Sequence, residues 1–271
     1  MDNPAASANT MRMPVLFVGH GSPLNITLKN AFTSSLEALG GSLPRPRAIM
    51  VISAHWLTSG STRVCGAAKP RTIYDFYGFP EELYQIRYPA RGYPEGANLV
   101  ASLNKEVHSD QEWGLDHASW AILKHMYPQA DIPVFEMSLD YAFGSRSNKP
   151  IQYHYDLAKS LKKLRSEGIL IIGSGNIVHN LREIDYNLEG KPFEWAVDMD
   201  ERVKRNLLKR NHEDLIHYLN MGRNASLGVP SLDHYLPMIY TLALQEAGEP
   251  LRFTYEGFQN GSVSMRCFQI G

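Results

Sequence analysis

The chain has 271 residues, 44% of them hydrophobic, which is enough for one large α/β domain with a substantial core. A formal net charge of −1, with acidic and basic residues interspersed, gives no basic field for a phosphate backbone, so nucleic acid is not an expected partner. Two cysteines, Cys65 and Cys267, lie far apart and outside any Cys-x-x-Cys pattern; they exclude a disulfide framework and suit reduced thiols in a cytoplasmic protein.

Residues 1–12, in "MDNPAASANTMRM", are small and polar without the apolar core of a signal peptide. They are expected to form a flexible tail before a single domain over 13–271. No run reaches the roughly 18 apolar residues that a membrane span needs. Short apolar runs then recur at 14–19 ("PVLFVG"), 48–54 ("AIMVISA"), 132–139 ("IPVFEMSL") and 168–175 ("GILIIGSG"). Nearly continuous Val, Ile and Leu segments of this length suit strands covered on both faces.

Helical spacing is expected between them, at 25–39, 94–107, 117–126, 153–167, 193–210 and 236–247. In 153–167, Leu157, Leu161 and Leu164 form one stripe with Lys and Arg opposite, and Gly168 follows as a stop signal. Residues 69–91 are rich in Tyr, Phe, Pro and Gly without a clear period, and serve either to cover a core or to wall a pocket for a flat ligand. The closing "LRFTYEGF" and "SVSMRCFQI", joined by "QNGS", read as a hairpin. The whole predicts one α/β domain: a central, mostly parallel or mixed β-sheet covered by helices on both faces, with its site at the strand carboxyl ends.

Histidines mark that edge. His20 follows the first expected strand, His55 the second, and His179 the run at 168–175. A lone histidine at a strand end is more often structural than a ligand, but three at one sheet edge lie where loops converge on a ligand. His117, after the expected cap Asp116, and His234, just before an apolar helix, sit at helix starts that can point to the same place. His108, His125, His212 and His217 have polar neighbours and are expected to face solvent, while His154 opens a helix and is expected to cap it or line a pocket. Several neutral imidazoles brought together are best explained by a divalent transition metal.

With these residues in place, the sequence resembles the class III extradiol ring-cleaving dioxygenases, in their DOPA 4,5-dioxygenase branch. The resemblance is carried by "GHGSP", "SAHW", "YDFYGFP", "YPA", "DHASW", "SGNIVHN", "DHYLP" and "GSVSM", in that order over nearly the whole chain. It implies a mononuclear non-haem metal on His20, His55 and His234, with Fe(II) for activity and Zn(II) as a competing occupant. His179 matches the acid/base histidine, or a fourth ligand in a resting or zinc-loaded form. His117 matches a second active-site histidine that contacts substrate or oxygen.

Many extradiol enzymes complete the triad with a carboxylate, which leaves Asp233 as the alternative to His234. The implied reaction is extradiol cleavage of a catechol with O2, most readily the 4,5-cleavage of L-DOPA. Asn176 and Trp56 are the candidate substrate contacts, each with a bland reading as turn or core, and Arg71, Arg87 and Arg91 are candidates for a substrate carboxylate. Gly19 and Gly21 are expected to permit a tight turn and to keep bulk away from the metal. A zinc hydrolase using the same histidines is the competing enzyme, and a monomer is the default oligomeric state.

Overall fold

The computed structural model describes residues 12–145 and 148–271. The expected tail, apart from Arg12, therefore lies outside the described residues. The four apolar runs become the long central strands, and shorter ones extend them. In chain order the strands are β1 (Val15–Gly19), β2 (Ala48–Thr58), β3 (Thr62–Cys65), β4 (Val107–Asp110), β5 (Val134–Asp140), β6 (Ile169–Gly175), β7 (Leu251–Tyr255), β8 (Phe258–Gln259), β9 (Val263–Ser264) and β10 (Cys267–Ile270). All but β8 and β9, which pair with each other, join one eight-stranded sheet in the order β4-β3-β5-β2-β6-β1-β10-β7.

The centre of the sheet, β5-β2-β6-β1, is parallel throughout. Both flanks carry antiparallel pairs: β10 with β1 and β7, and β3 with β5. The expected C-terminal hairpin is thus the β7/β10 pair, with β8 and β9 inserted between its arms. The mixed sheet matches the expected fold.

Alternation along each central strand divides the core in two. Val15, Phe17, Met50, Ile52, Ile169 and Ile171 pack on one face; Leu16, Val18, Ile49, Val51, Leu170 and Ile172 pack on the other. Successive side chains point to opposite sides, so a strand apolar at every position needs two covering layers. Helices supply them: α1 (Ala31–Ser42), α2 (Pro94–Leu103), α3 (His117–Met126), α4 (Ile151–Lys159), α5 (Lys163–Ser166), α6 (Glu194–Lys209), α7 (His212–Ile216), α8 (Arg223–Gly228) and α9 (Leu236–Ala243). Phe32 and Leu36 of α1 and Trp120 and Leu123 of α3 cover the second face, while Leu157 of α4, Met199 of α6 and Met238 of α9 cover the first. No helix among the described residues is long and apolar enough to cross a membrane.

Several boundaries differ from expectation for local reasons. The helix expected at 25–39 is broken into a 3-10 turn at Pro23–Ile26 and α1, because Asn30 and Thr33 form a reciprocal cap that restarts the chain at Ala31. The helix expected at 94–107 stops at Leu103, and Val107 opens the edge strand β4. Gly168 ends the helical stretch before β6 with a φ of +76°, as its position suggested.

Three histidines expected to face solvent, or in the case of His154 to cap a helix or line a pocket, are partly or fully buried and hydrogen-bonded instead. His125 Nε2 meets the Asn25 carbonyl at 2.8 Å. His212 bonds both Tyr155 and Gln245. His154 is fully buried and meets the Tyr240 hydroxyl at 3.0 Å, so it caps nothing.

Arg165 locks the start of β1 to the end of α9. Its buried guanidinium donates to the carbonyls of Met13 (2.8 Å) and Leu244 (2.9 Å) and forms a two-pronged pair with Glu249 (2.8 and 2.6 Å). Burial would raise the Glu249 carboxyl, but Arg165 holds it below its usual 4.5. Replacing Arg165 by Met leaves Glu249 with only the Glu246 N–H and the Arg12 guanidinium and takes a donor from two carbonyls, and is expected to lower the unfolding free energy by about 1–3 kcal/mol at pH 7 in urea titrations. A carboxyl depressed in the folded state contributes stability above its unfolded pKa and loses it as pH falls, so the wild type should lose stability below pH 4.5 more steeply than Arg165→Met.

Candidate metal centre and active site

The carboxyl ends of β1, β2 and β6 bring the marked histidines together. His20 leaves β1 with its N–H donating to the Gly175 carbonyl at 3.2 Å. His55 does not follow β2 but lies within it, which corrects the expected strand end. The β2/β5 register slips between Ile52 and Leu57, setting residues 53–56 against Ser138 alone. A bulge of this kind bends the strand and re-aims its side chains, here toward His20.

His117 is the first residue of α3. His179 lies beyond β6, where its N–H donates to Gly228 and a backbone bridge joins it to Val263. His234 precedes α9, and its carbonyl accepts the Asn176 N–H at 2.9 Å. That close approach needs Gly175, because a Cβ there would lie 2.2 Å from the His234 oxygen.

Ring centroids of His20, His55 and His234 form a near-equilateral triangle with separations of 5.1, 5.2 and 5.0 Å. Each offers one nitrogen within 4.8 Å of the others, a set that could hold a metal ion. His117 stands 4.2 Å from the His55 ring, and His179 lies flat on His234 at 3.6 Å.

Hydrogen bonds on the outer nitrogens decide what the inner ones present. Ser174 donates its hydroxyl to the Ala118 carbonyl (2.6 Å), so in its 3.0 Å contact with His20 Nδ1 the imidazole must be the donor. Asp75 Oδ2 accepts from Nδ1 of both His55 (3.0 Å) and His117 (2.8 Å), and Asp233 accepts from Nδ1 of His234. In neutral rings every Nε2 is then a bare lone pair. The Nε2 atoms of His20 and His55 lie 3.3 Å apart with no proton to share, an arrangement that a cation between them relieves. Asp233 bonds His234 through Oδ2 and keeps Oδ1 buried and unpartnered among the described residues, so the His234 imidazole and the Asp233 carboxylate each offer a ligand atom here.

Charge follows burial. Burial holds His20 well below 6.5, helped by His55 and His234, and it holds His179 there too, helped by His234. His234 is lowered by burial against the opposing pull of Asp233. Burial would raise Asp75, but the His117 and His55 donors keep it well below the usual carboxylate range. Asp233 is likewise depressed by His234 against its burial.

Asp116 lies deeper. Burial and the Asp75 charge push it up to about 6. Its side chain does not cap α3 as expected; it accepts from the Ser53 hydroxyl at 2.7 Å, and Ser53 in turn accepts the His55 N–H at 3.0 Å. The cap is lost because that carboxylate supports the bulge beneath His55.

Asn176 donates Nδ2 to Ser264 (2.8 Å), so its side chain ties the His179 loop to β9. Trp56 is buried and stacks on Trp113 at 5.1 Å. Arg71, Arg87 and Arg91 are exposed. Gly21 does adopt a turn conformation at φ +62°, yet the bulk it excludes is not next to the metal: a Cβ would meet Met265 and Gln259 of the C-terminal hairpin. Gly19 similarly faces the backbone of 264–266.

Asp75 was missed at the sequence level. Its signal was that it is the one charged residue in the aromatic stretch 73–80. The loop does wall the cluster, with Phe76 edge-on to His117 at 5.5 Å.

Three buried neutral imidazoles make a pH prediction. Their folded pKa values lie below 6.5, so the unfolded chain takes up protons first and stability falls as pH drops below 6.5. Urea titrations of metal-free protein should show a loss of up to about 1.4 kcal/mol per pH unit for each such histidine. Saturating divalent metal should deepen the loss, because protons then also compete with the ion.

The family model described as the catalytic LigB subunit of aromatic ring-opening dioxygenase matches residues 16–259. A 4,5-DOPA dioxygenase extradiol of Escherichia coli K12 is 43% identical over 97% of this chain and 96% of its own length. One from Beta vulgaris is 36% identical over 94% of this chain and 95% of its own. A crystal structure of an uncharacterized Escherichia coli K12 protein superposes with a TM-score of 0.81 at 39% identity, covering 96% of this chain and 100% of that one. An α/β sheet with a histidine cluster at its strand ends, matched over nearly its full length, makes this chain a member of the class III extradiol dioxygenase family and an oxygenase.

Proposed function

We propose that the protein cleaves a catechol ring beside its diol with both atoms of O2, at a metal held by His20, His55 and His234. The observation that carries this reading is the convergence of three deprotonated imidazole nitrogens, each backed on its other nitrogen by a serine or a carboxylate. Fe(II) is the metal that suits the family chemistry, supplying a common template for the diol and O2 and a route for electrons between them. Zn(II) fits the same donors and is the natural inactive control.

The chain's own groups hold the substrate and move its proton. His179 is neutral, stacked on His234, and its ring makes no hydrogen bond among the described residues. Its imidazole is therefore free to take a hydroxyl proton as the catechol binds and to return it as the ring opens. His117, fixed by Asp75 at the head of α3 and 4.2 Å from the His55 ring, is the second histidine available to contact the substrate. Phe76 and the surrounding aromatic loop exclude water from that side.

L-DOPA is the preferred substrate, since relatives at 43% and 36% identity carry the name 4,5-DOPA dioxygenase extradiol. Its 4,5-cleavage sets an aldehyde where the substrate's own amine can close on it.

Protein loaded anaerobically with Fe(II) should consume O2 on addition of L-DOPA and form a yellow product, while zinc-loaded protein should do neither. If Fe(II)-loaded protein takes up no oxygen across a panel of catechols, the zinc-hydrolase alternative takes precedence. His179→Ala should keep stoichiometric iron and lose at least about 100-fold in turnover. Full activity in that variant removes His179 from the proton path.

A further inference from the structure

One carboxylate serves two imidazoles of different function. Asp75 Oδ2 lies 3.0 Å from Nδ1 of His55 and 2.8 Å from Nδ1 of His117, and Oδ1 accepts the backbone N–H of His117 at 2.9 Å. All three contacts need an acceptor, so both rings must carry their proton on Nδ1. The third contact ties the carboxylate to the first turn of α3, where the helix dipole favours a negative charge.

We propose that Asp75 is a positioning residue that fixes the tautomers of His55 and His117 together. His55 is thereby made to present a lone pair to the metal, and His117 a lone pair to a substrate hydroxyl. This rests on the metal-centre reading above. It narrows the role of His117: with its Nδ1 proton held by Asp75, the ring turns Nε2 to the diol as an acceptor. It also couples the two halves of the site, since a shift of α3 or of the aromatic loop on substrate binding moves the partner of a metal ligand.

Asp75→Asn keeps the size but sets an NH2 group either against both ring N–H donors or against the backbone N–H of His117, so at least one donor loses its acceptor. The test needs no turnover. Long-range 1H–15N spectra of metal-free, 15N-histidine-labelled wild type should show His55 and His117 as Nδ1–H tautomers. Co(II) titration followed by visible absorption should show a 10- to 100-fold loss of affinity in Asp75→Asn, the usual effect of losing a ligand's hydrogen-bond partner.

His117→Ala leaves the Asp75–His55 bond in place and should bind Co(II) within about threefold of wild type, which separates positioning of a ligand from general disturbance of the site. An Nε2–H tautomer on either ring in the wild type overturns the inference, as does wild-type Co(II) affinity in Asp75→Asn. If Asp75→Asn does not fold, the wild-type spectra still decide. Wild-type protein that binds no Co(II) overturns the metal-centre reading and this inference with it. Asp75-dependent Co(II) binding in a protein that cleaves no catechol upholds the role of Asp75 while removing the proposed reaction.

Discussion

The hydrogen bond on the outer nitrogen of each clustered histidine is the interaction on which the rest of the site depends. Ser174 accepts from His20, Asp75 from His55 and His117, and Asp233 from His234. Each bond fixes a ring and a tautomer, and together they leave bare lone pairs facing one another. The burial that depresses His20, His179 and His234 works in the same direction, because it favours the neutral ring, the form in which an imidazole can ligate a metal or accept a proton.

The fold supplies that frame by close approach of backbones rather than by side-chain bulk. The bulge in β2 turns His55 toward His20, and Ser53 within it reaches down to Asp116. Gly175 lets the His234 peptide rest on the end of β6, where the Asn176 N–H receives its carbonyl. The C-terminal hairpin closes the other side: Ser264 binds the Val178 carbonyl, Val263 bridges to His179, and Gln259 and Asn25 exchange reciprocal amide bonds beneath the His20 turn. Residues far from the chemistry in sequence therefore set ring positions to within a hydrogen bond.

Much of this was legible in the sequence where the signal is local. Uninterrupted runs of Val, Ile and Leu identified β1, β2, β5 and β6, and the amphipathic period found α3 to the residue. The strands β3 and β4 were missed because four-residue strands at and next to the sheet edge, with exposed positions such as Arg63 and His108, carry no apolar run. His55 was recognised as a candidate, but "SAHW" reads as a strand end, since a bulge is defined by register against β5 and not by its own residues. Asp75 escaped notice for the same kind of reason: His117, which gives it meaning, lies 42 residues away. His125 looked exposed because its polar sequence neighbours are not its neighbours in space, and His154 looked like a cap or pocket residue because nothing near it in sequence marks its contact with Tyr240.

The central claim is that three imidazoles, and no carboxylate, bind the ion. An anomalous difference map at the iron edge, from crystals loaded with Fe(II) under anaerobic conditions, tests it most directly. The account predicts one peak within about 2.0–2.2 Å of Nε2 of His20, His55 and His234, with Asp233 and Asp75 still bonded to the outer nitrogens. A peak ligated by Asp233 or Asp75, or lying away from this triangle, contradicts it.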